Sequence, residues 1–248
     1  MPETAAYPDL PDDLADAQAQ ALEGVRAALA AGYSRLQVDI LVPEIKPDVL
    51  AQPFAEAFEP PFAFLFADAG AAALAKRNWN AADWTIAGVN QGDLLPAETA
   101  IVFAAPTVVE MGVVEALCVA RGEAIPTVKR KGDDTKGRER TPILLLNPQL
   151  QDAATVGIGL AGRQLRERFI STLEPCYFLQ AFGAGAMMRQ YPHPWTVWIL
   201  NKNDEYELLE TCKRKPTGED LAKMFAKATN SGPPLLGDLV RFIKALGS

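Results

Sequence analysis

An α/β fold is the class this sequence predicts: a mostly parallel, Rossmann-like three-layer sheet extended by a C-terminal antiparallel meander. Three observations carry that expectation. Strand-sized apolar runs at 62–67, 99–104 and 143–146 show no alternation, the mark of parallel strands covered on both faces. Helix-length segments lie between them, as βαβ units with right-handed crossovers require. Beyond Leu173 the spacing shortens, and strands at 177–182, 186–190, 196–201 and 205–209 are joined by turns containing Gly or Asn. That grammar belongs to antiparallel hairpins.

Residues 1–11 form an acidic, proline-containing arm, and residues 12–248 read as one α/β domain. A helix opens at Asp12 or Asp13 as N-cap, with Leu14, Ala17, Ala21, Leu22, Val25, Ala28 and Leu29 near the 3.6-residue period. Gly32 suits the position just past its end. Residues 36–42 alternate and are rich in β-branched side chains, which predicts a first strand stopped by Pro43. A helical stretch at 47–58 precedes the buried strand at 62–67, and an Ala-rich helix then runs to Trp79. Strands at 83–89 and 99–104, a helix at 108–121, the strand at 143–146 and a helix near 163–173 continue the pattern. After the meander, helices at 218–228 and 236–246 close the chain.

At 248 residues the chain has the length of one large domain. A formal net charge of −7 argues against a non-specific nucleic-acid binder, which needs a basic surface to displace counterions. Three scattered cysteines, Cys118, Cys176 and Cys212, suit buried thiols in a reducing compartment better than a disulfide framework. No apolar run approaches the roughly 20 residues of a membrane helix. The first residues lack a basic, then apolar, leader and carry Glu3, Asp9, Asp12, Asp13 and Asp16, so the expectation is a cytosolic bacterial protein or an already processed one. The charged loop at 129–140 reads as a solvated connection, since its mixed signs weaken an anion site.

Few motifs carry chemistry. Gly157, Gly159 and Gly162 match G-x-G-x-x-G, but about ten residues separate them from the strand ending at Leu146 and no acidic ribose partner follows. The loop 157–162 therefore reads as a flexible cover over the sheet edge. His193 is the only histidine and sits between two prolines, which gives no multi-histidine metal site. A pairing of Cys176 with His193 has nothing to orient it, and no Gly-x-Ser-x-Gly elbow exists. Neither a catalytic residue nor a metal or other cofactor is assigned.

The C-terminal ends of the strands are where ligands gather in open α/β sheets, and they bring Asp68, Asn90, Pro106, Thr107, Asn147 and Pro148 into view. For Asn147 the plainer role, capping the loop backbone, is preferred over a ligand contact. Arg163, in the first turn of its helix beside Arg166 and Arg168, would suit an anion or acidic partner, with surface solvation as the default. Met187, Met188, Tyr191, Trp195 and Trp198 make the meander rich in aromatic residues and Met. Alternation buries about half of them, and any left exposed would suit a protein contact.

Four ordered segments resemble one family. They are Ala28 to Asp39, including Gly32-Tyr33-Ser34-Arg35-Leu36-Gln37-Val38-Asp39 and followed by Pro43-Glu44; Leu144-Leu145-Leu146-Asn147-Pro148; Phe169 to Leu179, including Leu173-Glu174-Pro175-Cys176-Tyr177-Phe178; and Arg189-Gln190-Tyr191-Pro192-His193-Pro194-Trp195. Together they resemble a domain of unknown function of cyanobacteria and chloroplasts, which includes the Low PSII Accumulation type assembly factors. The resemblance implies a non-enzymatic auxiliary factor in photosystem II assembly or thylakoid protein biogenesis. It would act on a photosystem protein or pigment-protein intermediate, without nucleic acid or a transmembrane segment. The implied place is the cyanobacterial cytoplasm, or the stroma if plastid, with peripheral thylakoid contact. A relative joined to an adenylate kinase keeps open the alternative, a small-molecule or nucleotide-binding enzyme using the strand ends and the loop 157–162. No catalytic residues carry over. The candidate ligand or partner contacts are Asn90, Asn147, Pro148, Gly159, Arg163, Arg189, Tyr191 and Trp195. The partner-binding reading expects an exposed apolar patch on the meander and no pocket of convergent ionisable groups.

Overall fold

Asp13 opens the first helix by accepting a hydrogen bond from the Asp16 N–H, so α1 spans Leu14–Ala30. The chain then turns through Gly32, whose φ of +88° is left-handed and costs glycine nothing. In the computed structural model, residues 7–42, 44–80, 83–120, 141–149, 165, 167–183 and 185–229 are described. Strand β1 is Arg35–Leu41, followed by α2 at Pro47–Ala51 and a 3-10 turn at Gln52–Ala57. Next come β2 (Phe62–Phe66), α3 (Ala69–Trp79), β3 (Thr85–Gly88), β4 (Ala100–Ala104), α4 (Met111–Ala120) and β5 (Ile143–Leu146). The C-terminal part supplies β6 (Glu174–Phe182), β7 (Gly185–Gln190), β8 (Trp195–Leu200), β9 (Tyr206–Cys212) and the helix at Gly218–Thr229, here α5.

The nine strands of the described residues join one sheet in the order β3-β2-β4-β5-β1-β6-β7-β8-β9. Six are parallel, from β3 across to β6, and the run β6-β7-β8-β9 is antiparallel. The α/β class and the meander expected from sequence are both present. Strand β6 serves both halves, parallel to β1 on one side and antiparallel to β7 on the other. Its start lies three residues before the expected 177 because Glu174 and Pro175 pair with Leu36 and Gln37 ahead of an irregularity in register.

Helices cover both faces. On the front face α1, α2 and α3 bury Leu36, Val38 and Ile40 of β1 together with Phe64, Leu144, Leu146 and Tyr177. The rear face holds two separate apolar clusters. One lies under α4 and includes Phe103, Ile143, Leu145 and Phe169; the other lies under α5 and includes Phe178, Met187, Trp195, Val197 and Phe225. Of the expected helix at 163–173, Leu165, Glu167 and Arg168 are helical and Ile170–Thr172 is a 3-10 turn. The loops at 129–140 and 157–162 and the helix at 236–246 lie outside the described residues.

Candidate functional site

The alternating strand expected at 36–42 forms as β1, and its polar residue Asp39 is only 7% exposed. The reason is position: β1 sits between β5 and β6, and its rear side chains point into the gap between the two rear clusters. Arg35, Gln37 and Asp39 follow one another on that side at the two-residue period of a strand. The Asp39 carboxylate accepts a hydrogen bond from Gln37 Nε2 at 2.7 Å. Burial pushes its pKa up to about 6, while the Lys215 ammonium and the Gln37 bond hold it down. A carboxylate kept in such surroundings costs folding energy, and perturbed groups of this kind concentrate at working sites.

Around Asp39 the meander builds a layered array of charge and aromatic rings. Phe178 pairs with Asp39 across β1 and β6, and Arg189 pairs with Phe178 across β6 and β7. Phe178 and Trp195 have ring centroids 5.2 Å apart. Lys215 Nζ lies 3.8 Å from the Phe178 centroid and 5.5 Å from that of Trp195, and the Arg189 guanidinium stands 5.7 Å from Trp195. Cations over ring faces are held by the quadrupole, more strongly as water is excluded. Arg189 also donates to Glu174 at 2.7 Å, a largely buried pair. At the end of this array Tyr33 and Tyr191 meet edge to face, centroids 5.6 Å apart. The negative charge of Glu174, then burial, raises the Tyr33 hydroxyl pKa.

Three of the four segments that carry the family resemblance therefore converge. They bring Tyr33, Asp39, Glu174, Arg189, Tyr191 and Trp195 into one continuous array. Among the described residues, ionisable groups converge here within the packed rear of the sheet, not around a pocket. Trp195, only 4% exposed, is sealed beneath Lys215 and Arg189, which makes it a packing element rather than a contact surface.

The fourth segment ends at β5. Asn147 Oδ1 accepts from the Ile40 N–H at 2.6 Å and its Nδ2 donates to the Ile40 carbonyl at 2.8 Å. This is the capping role preferred from sequence. Pro148 is buried beside it. A recess of about 360 Å³ opens there, lined by residues including Leu41, Val42, Glu44, Asn147, Pro148 and Gln149. It lies at the C-terminal ends of β1 and β5, where open α/β sheets hold ligands. Glu44, Ala105 and Asn147 all have left-handed φ values, of 66°, 51° and 42°.

Other sequence candidates do not join it. Asn90 is exposed just after β3, and β2 and β4 stand between β3 and β5. At the usual spacing of strands that separates Asn90 from Asn147 by about 14 Å. Gly159 and Arg163 lie outside the described residues. Asp39 was missed by sequence reasoning, and the available signal was two polar residues, Gln37 and Asp39, within the otherwise apolar run 36–42. Among the described residues no group of three His, Cys, Asp or Glu side chains is placed to hold a metal ion, and no helix is long and apolar enough to cross a membrane.

A second depression lies on the front face of the meander. It measures about 480 Å³ and is lined by residues including Pro11, Val42, Leu179, Ala186, Trp198 and Tyr206. Val42, Tyr206 and Leu208 are each more than 40% exposed. Of these, Tyr206 and Leu208 belong to the meander.

Fold and site together define an α/β protein whose mixed sheet carries a buried charged array behind and an open apolar groove in front. The chain belongs to the family described as Domain of unknown function (DUF1995), whose model matches residues 11–223. Neither a curated protein nor a solved structure matches the chain.

Proposed function

We propose that this protein is a non-enzymatic factor in photosystem II assembly or thylakoid protein biogenesis, acting by holding a partner protein against its meander. The observation that carries the reading is the front groove, with Trp198 in its floor and exposed Val42 and Tyr206 lining it, and with exposed Leu208 paired beside Trp198 on β9. Aromatic and aliphatic side chains gathered in an open groove are the usual material of a protein contact. The four family-like segments support the photosynthetic setting, with a cyanobacterial cytoplasm or a stroma as the compartment and the thylakoid surface as the place of work. In a cyanobacterial strain carrying the tagged chain, a photosystem protein or pigment-protein intermediate co-purifies. Leu208→Ser weakens that recovery. An intact tagged chain that recovers no photosystem component overturns the proposal.

The recess at Glu44 and Asn147 favours a second reading, a small-molecule or nucleotide site at the strand ends. Asn147 has both polar ends of its carboxamide committed to Ile40, which leaves Glu44 and Gln149 as the side chains to meet a ligand. A thermal-shift screen with nucleotides and phosphorylated metabolites tests this, because a ligand bound only to the native state raises the melting temperature. No rise with any of them excludes the second reading.

A further inference from the structure

The end of α5 and the front groove lie on opposite sides of the same hairpin. On the rear, the Phe225 ring meets that of Phe182 edge to face with centroids 5.7 Å apart, and a Cβ on Gly185 would fall 2.6 Å from Phe225. Phe182 and Gly185 are the last pair of β6 and β7 before their turn. The next pair, Ala181 and Ala186, faces forward by alternation and lines the groove beside Trp198. Helix α5 therefore runs from the end of β9 to the hairpin edge of the sheet, and its last residue, Thr229, lies one turn past Phe225. The chain that follows starts at the edge onto which the groove opens.

The sequence beyond Thr229 has one apolar face to bury. Leu236, Leu239, Val240, Ile243 and Leu246 recur at helical spacing, with Phe242 beside them. At 3.6 residues per turn these six positions fall within an arc of about 160°, and Asp238, Arg241 and Lys244 share the remainder. Amphipathic segments of that kind gain their stability by covering apolar surface. The front of the meander offers such surface, since Tyr206 and Leu208 are 41% and 42% exposed.

Reach and concentration favour this segment over other occupants. The spacer 230–235 reads Asn-Ser-Gly-Pro-Pro-Leu and spans about 20 Å when extended. The passage from the axis of α5 behind the sheet to a helix axis in front is about two helix diameters, also about 20 Å. A tether that just spans its site gives an effective concentration on the order of millimolar. A second copy of the chain at micromolar concentration competes poorly with that, and a partner protein must displace the segment to enter.

We propose that residues 236–246 lie as an amphipathic helix in the front groove of their own chain and occupy it until a partner displaces them. The occupancy stands by itself, whereas the displacement rests on the partner-binding reading above.

The test uses the full chain carrying Val240→p-benzoylphenylalanine, irradiated at low protein concentration, with cross-links located by peptide mass mapping. The expected product is a cross-linked monomer joining position 240 to the front of the meander, in the stretches 179–200 or 206–208. The same photoreactive residue at Arg241, on the polar face, gives few of these links. Adding Leu236→Asp and Ile243→Asp lowers their yield about tenfold, because two charges then oppose burial. Cross-links confined to another surface, cross-linked dimers in place of monomers, or a yield that the two aspartates leave unchanged each overturns the occupancy. In a tagged cyanobacterial strain, the chain with both aspartates and the natural Val240 recovers about tenfold more photosystem component than the parent. Equal recovery from the two overturns the displacement. Groove cross-links without any recovered photosystem component keep the occupancy and sink the partner-binding reading, and recovery with cross-links elsewhere does the reverse.

Discussion

The carboxamide of Asn147 stands in for a strand residue opposite Ile40. It meets the main-chain N–H and C=O of Ile40 at 2.6 and 2.8 Å, while the Asn147 N–H reaches the Val38 carbonyl at 2.8 Å. Pairing of β1 with β5 thus extends one step past Leu146, although the chain has already turned away with a left-handed φ of 42° at Asn147. Asparagine tolerates that conformation better than most residues. The rim of the recess is fixed by this substitution of side chain for backbone.

Asn147→Ala leaves two main-chain groups of Ile40 without partners and destabilises the protein by about 2–3 kcal/mol. Asn147→Asp keeps an acceptor for the Ile40 N–H but sets a carboxylate against the Ile40 carbonyl, and loses a similar amount at neutral pH. Asn147→Gly relieves the backbone and still loses both bonds. Urea unfolding at pH 7 checks all three. A loss well under 1 kcal/mol in the alanine variant contradicts the role given to the carboxamide.

Asp39 makes stability depend on pH in a stated direction. Its carboxyl has a pKa of about 6 in the folded chain, against an ordinary 3.8. The folded state therefore holds the proton more tightly than the unfolded state. The stabilisation is complete below the unfolded pKa and is lost as pH rises through about 6. The span amounts to about 3 kcal/mol. Asp39→Asn removes that slope and is more stable than the parent at pH 7, measured by urea unfolding from pH 4 to 7.5. Lys215→Met raises the Asp39 pKa further, because the ammonium lowers it, and moves the loss to higher pH.

What could be read from sequence follows physical lines. Ala63–Phe66 and Ile143–Leu146 are buried throughout, so their unbroken apolar runs disclosed parallel strands directly. Strand order was not readable, since β4 and β5 insert between β2 and β1, and that insertion separates Asn90 from Asn147. Alternation in the meander places Trp195 and Trp198 on opposite faces, but which face is open depends on where α5 and the residues around Lys215 lie. They cover Trp195, leaving Trp198 to the groove. Asp39 escaped for the same reason: alternation measures one strand, and its burial is made by the clusters on either side.

The cysteines differ in reach. Cys118 and Cys176 are fully buried, whereas Cys212 is half-buried. Burial pushes the Cys176 thiol up to about 12. Burial, then the charges of Glu210 and Asp220, raises Cys212 as well. With iodoacetamide at pH 8, Cys212 is the first of the three to react, more slowly than a free thiol because less of it is thiolate. Cys118 and Cys176 react only in urea. Peptide mass mapping of the timed reaction reads the order, and early labelling of Cys176 contradicts its burial.

Gly24 sets the distance between α1 and the sheet. A Cβ built there would lie 2.5 Å from the Cys176 carbonyl oxygen and 3.6 Å from Gln190 Cγ. The near neighbour is backbone, held in register with Gln37 and Val38 on either side of the β6 irregularity, so it has no rotamer by which to yield. Gly24→Ala gains helix propensity of about 1 kcal/mol but forces α1 away from β6, at a cost of about 1–3 kcal/mol for overpacking. The displacement also strains the bond from the Tyr177 hydroxyl to Gln20 Oε1, 2.9 Å long, and that from Gln190 Nε2 to Glu23, 3.1 Å long. The expected outcome is a net loss in urea unfolding, whereas Gly112→Ala in α4, where a Cβ meets nothing within 4 Å, is neutral or stabilising. Equal stability of the two alanine variants contradicts the close approach of α1 to β6.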